Sequence, residues 1–327
     1  MYNPLGVAVL KTGEKMEIGV LRTPDEGWAS LLLPLMNHKP LNYKWHLEKA
    51  FLPGGIEGLE TRFYVGLIDG CPVSNIMTVE VNGIGILGHV YTAPEHRRKN
   101  ACRLVMGEQM ADFNRRGGRY LSLGTGYDTH PYWIYHSFGF RGVVPEYGLM
   151  TYEPDGAFVT SHFQAGSVSI VEPGWEDWPL INTLGAQKNL PFIRSMAYGL
   201  LGPGNFEGGY LTLLERFQDR SDSQARLLKS EHGAVVGFVT LQPDARWHGD
   251  VLLLDLFVHP TFAPSAHALL QSITLPTDRK IQCYAEEDAT WKIAALLEEG
   301  FEHEATFRGQ LQENRCAIDV EVYERSA

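Results

Sequence analysis

The sequence predicts an α/β protein made of two similar domains, each a mixed β-sheet flanked by helices. Its 327 residues exceed the common size of one domain, and 44% of them are hydrophobic, enough for two cores. Short branched and aromatic runs alternate with helical patterns, which is the mark of sheets covered by helices. The landmarks of the first half also return in order in the second: Leu87 to Pro94 is matched by Leu253 to Pro260, and Tyr135 to Phe140 by Leu296 to Phe301. Near-constant offsets of this kind imply duplication of one fold. The domains are predicted at 1–153 and 167–327, with a linker at 154–166, where turn residues replace any sustained period.

After a short lead, MYNPLGVAVLKTGEKM, the segment Glu17 to Leu21 reads as a strand. Glu26 to Met36 reads as a helix with Trp28, Leu31, Leu32 and Leu35 on one side. A second helix is predicted near Trp45 to Phe51. Thr61 to Ile68 and Val73 to Val81 form a hairpin turned at Asp69-Gly70, and Asn82-Gly83 turns the chain into a third strand containing Ile86, Leu87, Val90 and Tyr91. The chain breaks at Ala93-Pro94 and passes through His96-Arg97-Arg98-Lys99-Asn100. From Ala101 to about Phe113 it reads as a helix, stopped by Arg115-Arg116-Gly117-Gly118. Arg119 to Gly124 is the next strand, Pro131 to Phe138 a short helix, and Val144 to Tyr152 a closing strand. In the second half Val168 to Val171 and Ala234 to Leu241 are strands and Trp175 to Gln187 is a helix. The glycine-rich run Gly199 to Gly209 reads as a flexible connection, and Glu302-His303-Glu304 as a solvated strand start.

A strand feeding a tight turn at a helix N-terminus can hold an anion, because the first helical amides lack partners and the dipole is positive there. The cations at 97–99 suit a pyrophosphate; they suit equally a solvated basic turn in an acidic protein. Arg97-Arg98-Lys99-Asn100-Ala101-Cys102 resembles the acyl-CoA pyrophosphate loop of the GNAT superfamily of N-acetyltransferases: Arg or Gln, two residues, Gly, one residue, then Gly or Ala. Pro94 and Arg103-Leu104 sit where that family has them. Asn100 replaces the first glycine, and Asn is the non-glycine residue that best tolerates positive φ. Cys102 replaces the second small residue. Tyr135-His136-Ser137-Phe138-Gly139-Phe140 fits the family's Tyr, three residues, Gly-Phe ending.

The resemblance implies two tandem acetyltransferase-like domains and an acyl-CoA-dependent N-acyltransferase, with chemistry in the first domain. Acetyl-CoA would be bound by Val90, Tyr91 and Thr92 on the central strand, and by Arg97, Arg98, Lys99, Asn100, Ala101, Cys102 and Arg103. Tyr135 would protonate the leaving thiolate, and a small amine would be the acceptor; residues 37–60 either shape its pocket, as they would in such an enzyme, or form an ordinary surface connection. The second copy has Thr261-Phe262-Ala263-Pro264-Ser265 in place of the cations and Leu296 in place of Tyr135, so it reads as degenerate. A non-catalytic acyl-CoA-binding or sensor protein is the alternative, suggested by Asn100 and Cys102.

His89 is either a base for the acceptor amine or a histidine packed within the sheet. Asp128 and His130 precede the Tyr135 helix, Asp128 as a cap or a substrate contact, and Glu80 is a further base candidate. The net charge of −11 argues against nucleic acid as a partner. No apolar run approaches a membrane span, and no basic segment leads a long apolar one at the N-terminus. Cys71, Cys102, Cys283 and Cys316 are scattered without paired spacing, and no HExxH motif appears. The expectation is a cytoplasmic protein with free thiols and no metal.

Overall fold

Thr12-Gly13, Asp69-Gly70 and Asn82-Gly83 turn the chain back on itself three times, and each turn joins two antiparallel strands. The computed structural model describes residues 1–219, 222–313 and 316–326. It divides into two units, Met1–Phe158 and Val159–Ala327.

The first unit runs β1 (Tyr2–Val9), β2 (Lys15–Arg22), α1 (Glu26–Leu32), a 3-10 turn (Leu33–Met36), α2 (Leu41–Phe51), β3 (Glu60–Ile68), β4 (Cys71–Val81) and β5 (Ile84–Thr92). A 3-10 turn (Pro94–His96) leads to α3 (Ala101–Arg115), β6 (Tyr120–Gly124), α4 (His130–Ser137), β7 (Arg141–Gly142) and β8 (Leu149–Tyr152). The eight-stranded sheet has the order β1-β2-β3-β4-β5-β6-β8-β7. Only β5 and β6 pair in parallel, and α3 makes the crossover between them. Two expectations are corrected. The lead at residues 1–16 contains a full edge strand, β1. The closing strand is shorter than Val144 to Tyr152, because Pro145-Glu146-Tyr147-Gly148 forms a turn, with the Val143 amide on the Leu149 carbonyl at 2.9 Å and Glu146 at φ +57°.

The apolar stripe of α3, with Val105, Met106, Met110 and Phe113, packs on Ile18, Tyr64, Ile76 and Leu121. The helix end is anchored by charge. Arg116 donates to both oxygens of the buried Glu80 at 2.8 and 3.0 Å and to Asp112 at 2.9 Å, while the Tyr64 hydroxyl donates to Asp112 at 2.7 Å.

α5 (Phe158–His162) spans the division and lies within the stretch expected as linker. The second unit continues with β9 (Val168–Val171), α6 (Asp177–Gly185), β10 (Ile193–Ser195), β11 (Leu200–Leu201), α7 (Glu207–Asp219), β12 (Gln224–Ser230), β13 (Val235–Pro243) and β14 (Val251–Val258). Then follow a 3-10 turn (Pro260–Ser265), α8 (Ala266–Gln271), β15 (Lys280–Ala285), α9 (Thr290–Glu298), β16 (Glu302–Glu313) and β17 (Cys316–Arg325). Its main sheet has the order β16-β17-β15-β14-β13-β12-β9, again with a parallel central pair, β14 and β15. Reversed, this is the order of the first sheet without β1. Both units therefore have the same mixed-sheet architecture. The run Gly199 to Gly209 is not a simple connection, since it holds β11 and the start of α7, with Gly202 and Gly204 amides bonded to the carbonyls of Phe192 and Gly185. Among the described residues no helix is long and apolar enough to cross a membrane.

Candidate active site

Two irregularities in β5 create the site. β5 pairs with β6 only at Ile84, Gly85 and Ile86, so the strands part beyond that point and leave a slot. Against β4, Met77 faces Gly88 and Asn75 faces Tyr91, so β5 carries one extra residue. This is a β-bulge, and His89 sits in it at φ +50°. The Asn75 side chain holds the bulge by donating to the His89 carbonyl at 3.0 Å, and Ser74 donates to the Tyr91 carbonyl at 3.2 Å.

Past Thr92 the chain tightens through Pro94–His96, and the Arg97 Nε donates back to the Thr92 carbonyl at 3.0 Å. Arg98 at φ +63° and Asn100 at φ +78° are left-handed, and α3 begins at Ala101 without a side-chain cap. The amides of Ala101 to Arg103 thus have no partner within the helix and face the turn. A cleft of about 770 Å³ opens over them, lined by β5, the turn and the first turn of α3 on one side and by His130, Pro131 and Ile134 of α4 on the other. Every residue expected to hold the cofactor lines it except Lys99, whose ammonium pairs with Glu14 at 3.0 Å. Lys11 and His96 also line it, which the sequence reading missed. Lys11 arrives on the β1–β2 hairpin, and its amide bonds the Lys99 carbonyl at 3.1 Å. The signal was present as Thr12-Gly13 between two alternating runs. No carboxylate lies in this lining, and its cations and helix amides suit a pyrophosphate.

Tyr135 and His89 flank this cleft without lining it. Tyr135 is buried against Phe140, and burial, with Cys102 beside it, pushes its hydroxyl well above the ordinary phenol value, so it stays protonated at neutral pH. Burial likewise pushes the Cys102 thiol up to about 11. His89 is 3% exposed and packs edge-on against Tyr43. Burial, with Lys39, His46 and His38 nearby, holds its imidazole well below the usual histidine range, so the ring is neutral. Neither ring nitrogen has a hydrogen-bond partner among the described residues, which forgoes about 1–3 kcal/mol per group. A bonded water or substrate would recover that energy.

Two other candidates have structural work. Glu80 faces Gly85, at the other end of the β4–β5 pair from the bulge, and is committed to Arg116 and to Thr78. Asp128 does not cap α4. Thr129 does, and Asp128 accepts from the Trp133 indole at 2.8 Å.

The second unit treats the matching region differently. Asp255 on β14 is 3% exposed and accepts from Ser195 Oγ at 2.5 Å, from the Met196 amide at 2.9 Å and from the Ala197 amide at 3.1 Å. Glu286 accepts from the amides of Phe192 and Ile193. Residues 192–197 are thereby pinned where β14 and β15 part, and Ile193 shares a core with Leu253 and Tyr284. The turn 260–265 has no cation, and Leu296 is fully buried.

No family model matches the chain, and no curated protein matches it. Among solved structures it is similar to an N-acetyltransferase from Staphylococcus aureus, at 17% identity and a TM-score of 0.41, over 49% of this chain and 99% of that one. It is similar to a GNAT superfamily phosphinothricin acetyltransferase from Sinorhizobium meliloti in complex with AcCoA, at 15% identity and a TM-score of 0.40, over 48% and 87%. A third is the spermidine N-acetyltransferase from Vibrio cholerae in complex with CoA and spermine, at 14% identity and a TM-score of 0.34, over 48% and 94%.

Proposed function

We propose that the first unit is an acyl-CoA-dependent N-acyltransferase that moves acetyl from acetyl-CoA to a small amine, and that the second unit carries no chemistry. The observation that supports this most is the cleft itself, where a bulged, parted strand, two left-handed turn residues, a helix N-terminus and several cations converge. The pyrophosphate would lie on the amides of Ala101 to Arg103 between Arg97 and Arg98. The thioester would run along Val90–Thr92 in the slot beside β6, where a backbone amide can donate to the developing oxyanion. The amine nitrogen forms a bond to the thioester carbonyl carbon, and the carbon–sulfur bond breaks. The leaving thiolate takes the Tyr135 proton. The amine proton passes through water to His89, whose lowered basicity makes the ring hand it on to solvent, and solvent returns one proton to Tyr135. Four free cysteines, two of them exposed, suit a reducing compartment such as the cytoplasm.

Calorimetry with the full chain should give one acetyl-CoA per chain. Arg97→Ala should weaken binding by about 1.5–3 kcal/mol, the range for a charge-assisted contact. Tyr135→Phe should lower turnover roughly 10²–10⁴-fold with affinity nearly intact. Two sites per chain, or an Arg97→Ala protein that binds like the parent, would sink the site. The position of Tyr135 and His89 outside the cleft lining favours a second reading, an acyl-CoA sensor. Tight binding without thioester cleavage across a broad amine panel would establish it.

A further inference from the structure

The donor cleft carries more positive charge than a pyrophosphate uses. Lys11, Arg97, Arg98 and Arg103 line it, four cations with no carboxylate beside them in the lining. Arg97 and Arg98 would flank the pyrophosphate. Arg103 donates to Ser137 Oγ at 2.9 Å and holds its guanidinium over the Phe138 ring, on the α4 side. Lys11 is left over. It is exposed and forms no ion pair among the described residues.

The hairpin that presents Lys11 is fixed in place. Leu10 is buried in the α3 core, the Leu10 amide bonds the Glu14 carbonyl at 2.9 Å, and the Gly13 amide bonds the Leu10 carbonyl at 2.9 Å. Two bonds then tie the hairpin to the turn before α3, from the Lys11 amide to the Lys99 carbonyl at 3.1 Å and from the Lys99 ammonium to Glu14 at 3.0 Å. Glu14 is the carboxylate of this hairpin, and Lys99 and the Thr12 hydroxyl occupy it, so Lys11 keeps its charge for the cleft. His96 lines the same cleft, and its Nδ1 is buried without a hydrogen-bond partner among the described residues. The Thr12 hydroxyl first, then Lys99 and His96, hold the Glu14 carboxyl below its ordinary range, which sets His96 within electrostatic reach of the hairpin.

We infer that the hairpin side of the cleft is a second anion subsite, that it takes the ribose 3′-phosphate of CoA, and that Lys11 is the residue that reads it. This rests on the acyl-CoA reading of the cleft. The pyrophosphate of CoA is esterified at both ends and carries about two negative charges, whereas the 3′ monoester adds about −1.5 to −2 of its own at neutral pH. An ammonium is a compact charge with rotatable donors, suited to a monoester that presents oxygens on every side. Because the hairpin is already tied down, only the lysine side chain has to be ordered on binding. The contact is open to solvent, so salt weakens it.

Calorimetry on the full chain at low salt tests this with two matched ligands, acetyl-CoA and acetyl-dephospho-CoA, which differ only in the 3′-phosphate. Acetyl-CoA should bind about tenfold tighter or more, the scale of one charge-assisted contact. Lys11→Gln leaves the backbone bond to Lys99 in place. It should bring acetyl-CoA close to the affinity of acetyl-dephospho-CoA and leave the latter as in the parent. Arg98→Gln, by contrast, should weaken both ligands alike. Equal binding of the two ligands by the parent would overturn the subsite. So would a Lys11→Gln protein that keeps the parent's preference, or one that loses both ligands to the same degree, since the last result marks a hairpin displaced rather than a contact removed. If neither ligand binds the parent, the acyl-CoA reading itself falls and the subsite falls with it.

Discussion

Asn100 holds φ +78° and ψ +5°, and its carboxamide makes no capping bond to the helix it precedes. Glycine reaches that conformation without steric penalty. Asn100→Gly should therefore keep CoA affinity or tighten it a few-fold by calorimetry. A loss of tenfold or more would mean that the carboxamide itself touches the ligand. At this scale the site was readable where its pieces are contiguous, since the amides and cations from Arg97 to Arg103 are encoded by local residue type alone. Lys11 was not readable in the same way, because it reaches the cleft only through the pairing of β1 with β2 and the tie between Lys11 and Lys99. Lys99 shows the converse. It belongs to the motif, yet its partner Glu14 lies far away in sequence and turns it from the cleft.

Elements declared themselves where punctuation was strong. Pro131 in the first turn and Gly139 just past the end bracket α4, and two turn dipeptides bracket β4. The closing strand was overread because Val143-Val144 continues the apolar pattern into a turn that only Pro145 and Gly148 betray. The segment 192–197 was unreadable, since its anchors are Asp255 and Glu286, about sixty and ninety residues away along the chain. Asp255→Ala would strand a buried hydroxyl and two amides without an acceptor, at a cost of about 3 kcal/mol. In urea, the unfolding transition of the second unit should move to lower concentration while acetyl-CoA binding stays as in the parent. An unmoved transition would show that Asp255 does not hold this segment.

The duplication was visible because apolar landmarks keep their order even where chemistry has gone, and the matching strand orders of the two sheets express it. Stability over the whole chain should depend on buried histidines. Burial pushes His46 to about 3 and His259 to about 4, and holds His89 well below its ordinary value. The unfolded chain takes up protons near pH 6.5 that these folded sites refuse. Stability is then intact above about pH 6.5 and falls as the pH drops toward the folded values, by up to about 1.4 kcal/mol per pH unit for each fully buried ring. His259 contributes less, being less buried. Calorimetric melting temperatures should fall between pH 7 and pH 5, and His46→Gln should flatten the slope; a melting temperature constant over that range would contradict this. The extra residue at His89 has a different kind of consequence. A strand reads as a two-beat rhythm of inward and outward side chains, and the bulge drops one beat, which is why Leu87 and Val90, three apart, share a core. Losing that single codon would restore the rhythm while Val90 kept the α3 side and Tyr91 the other, so the faces of the strand would survive and only the kink, with its left-handed residue, would go.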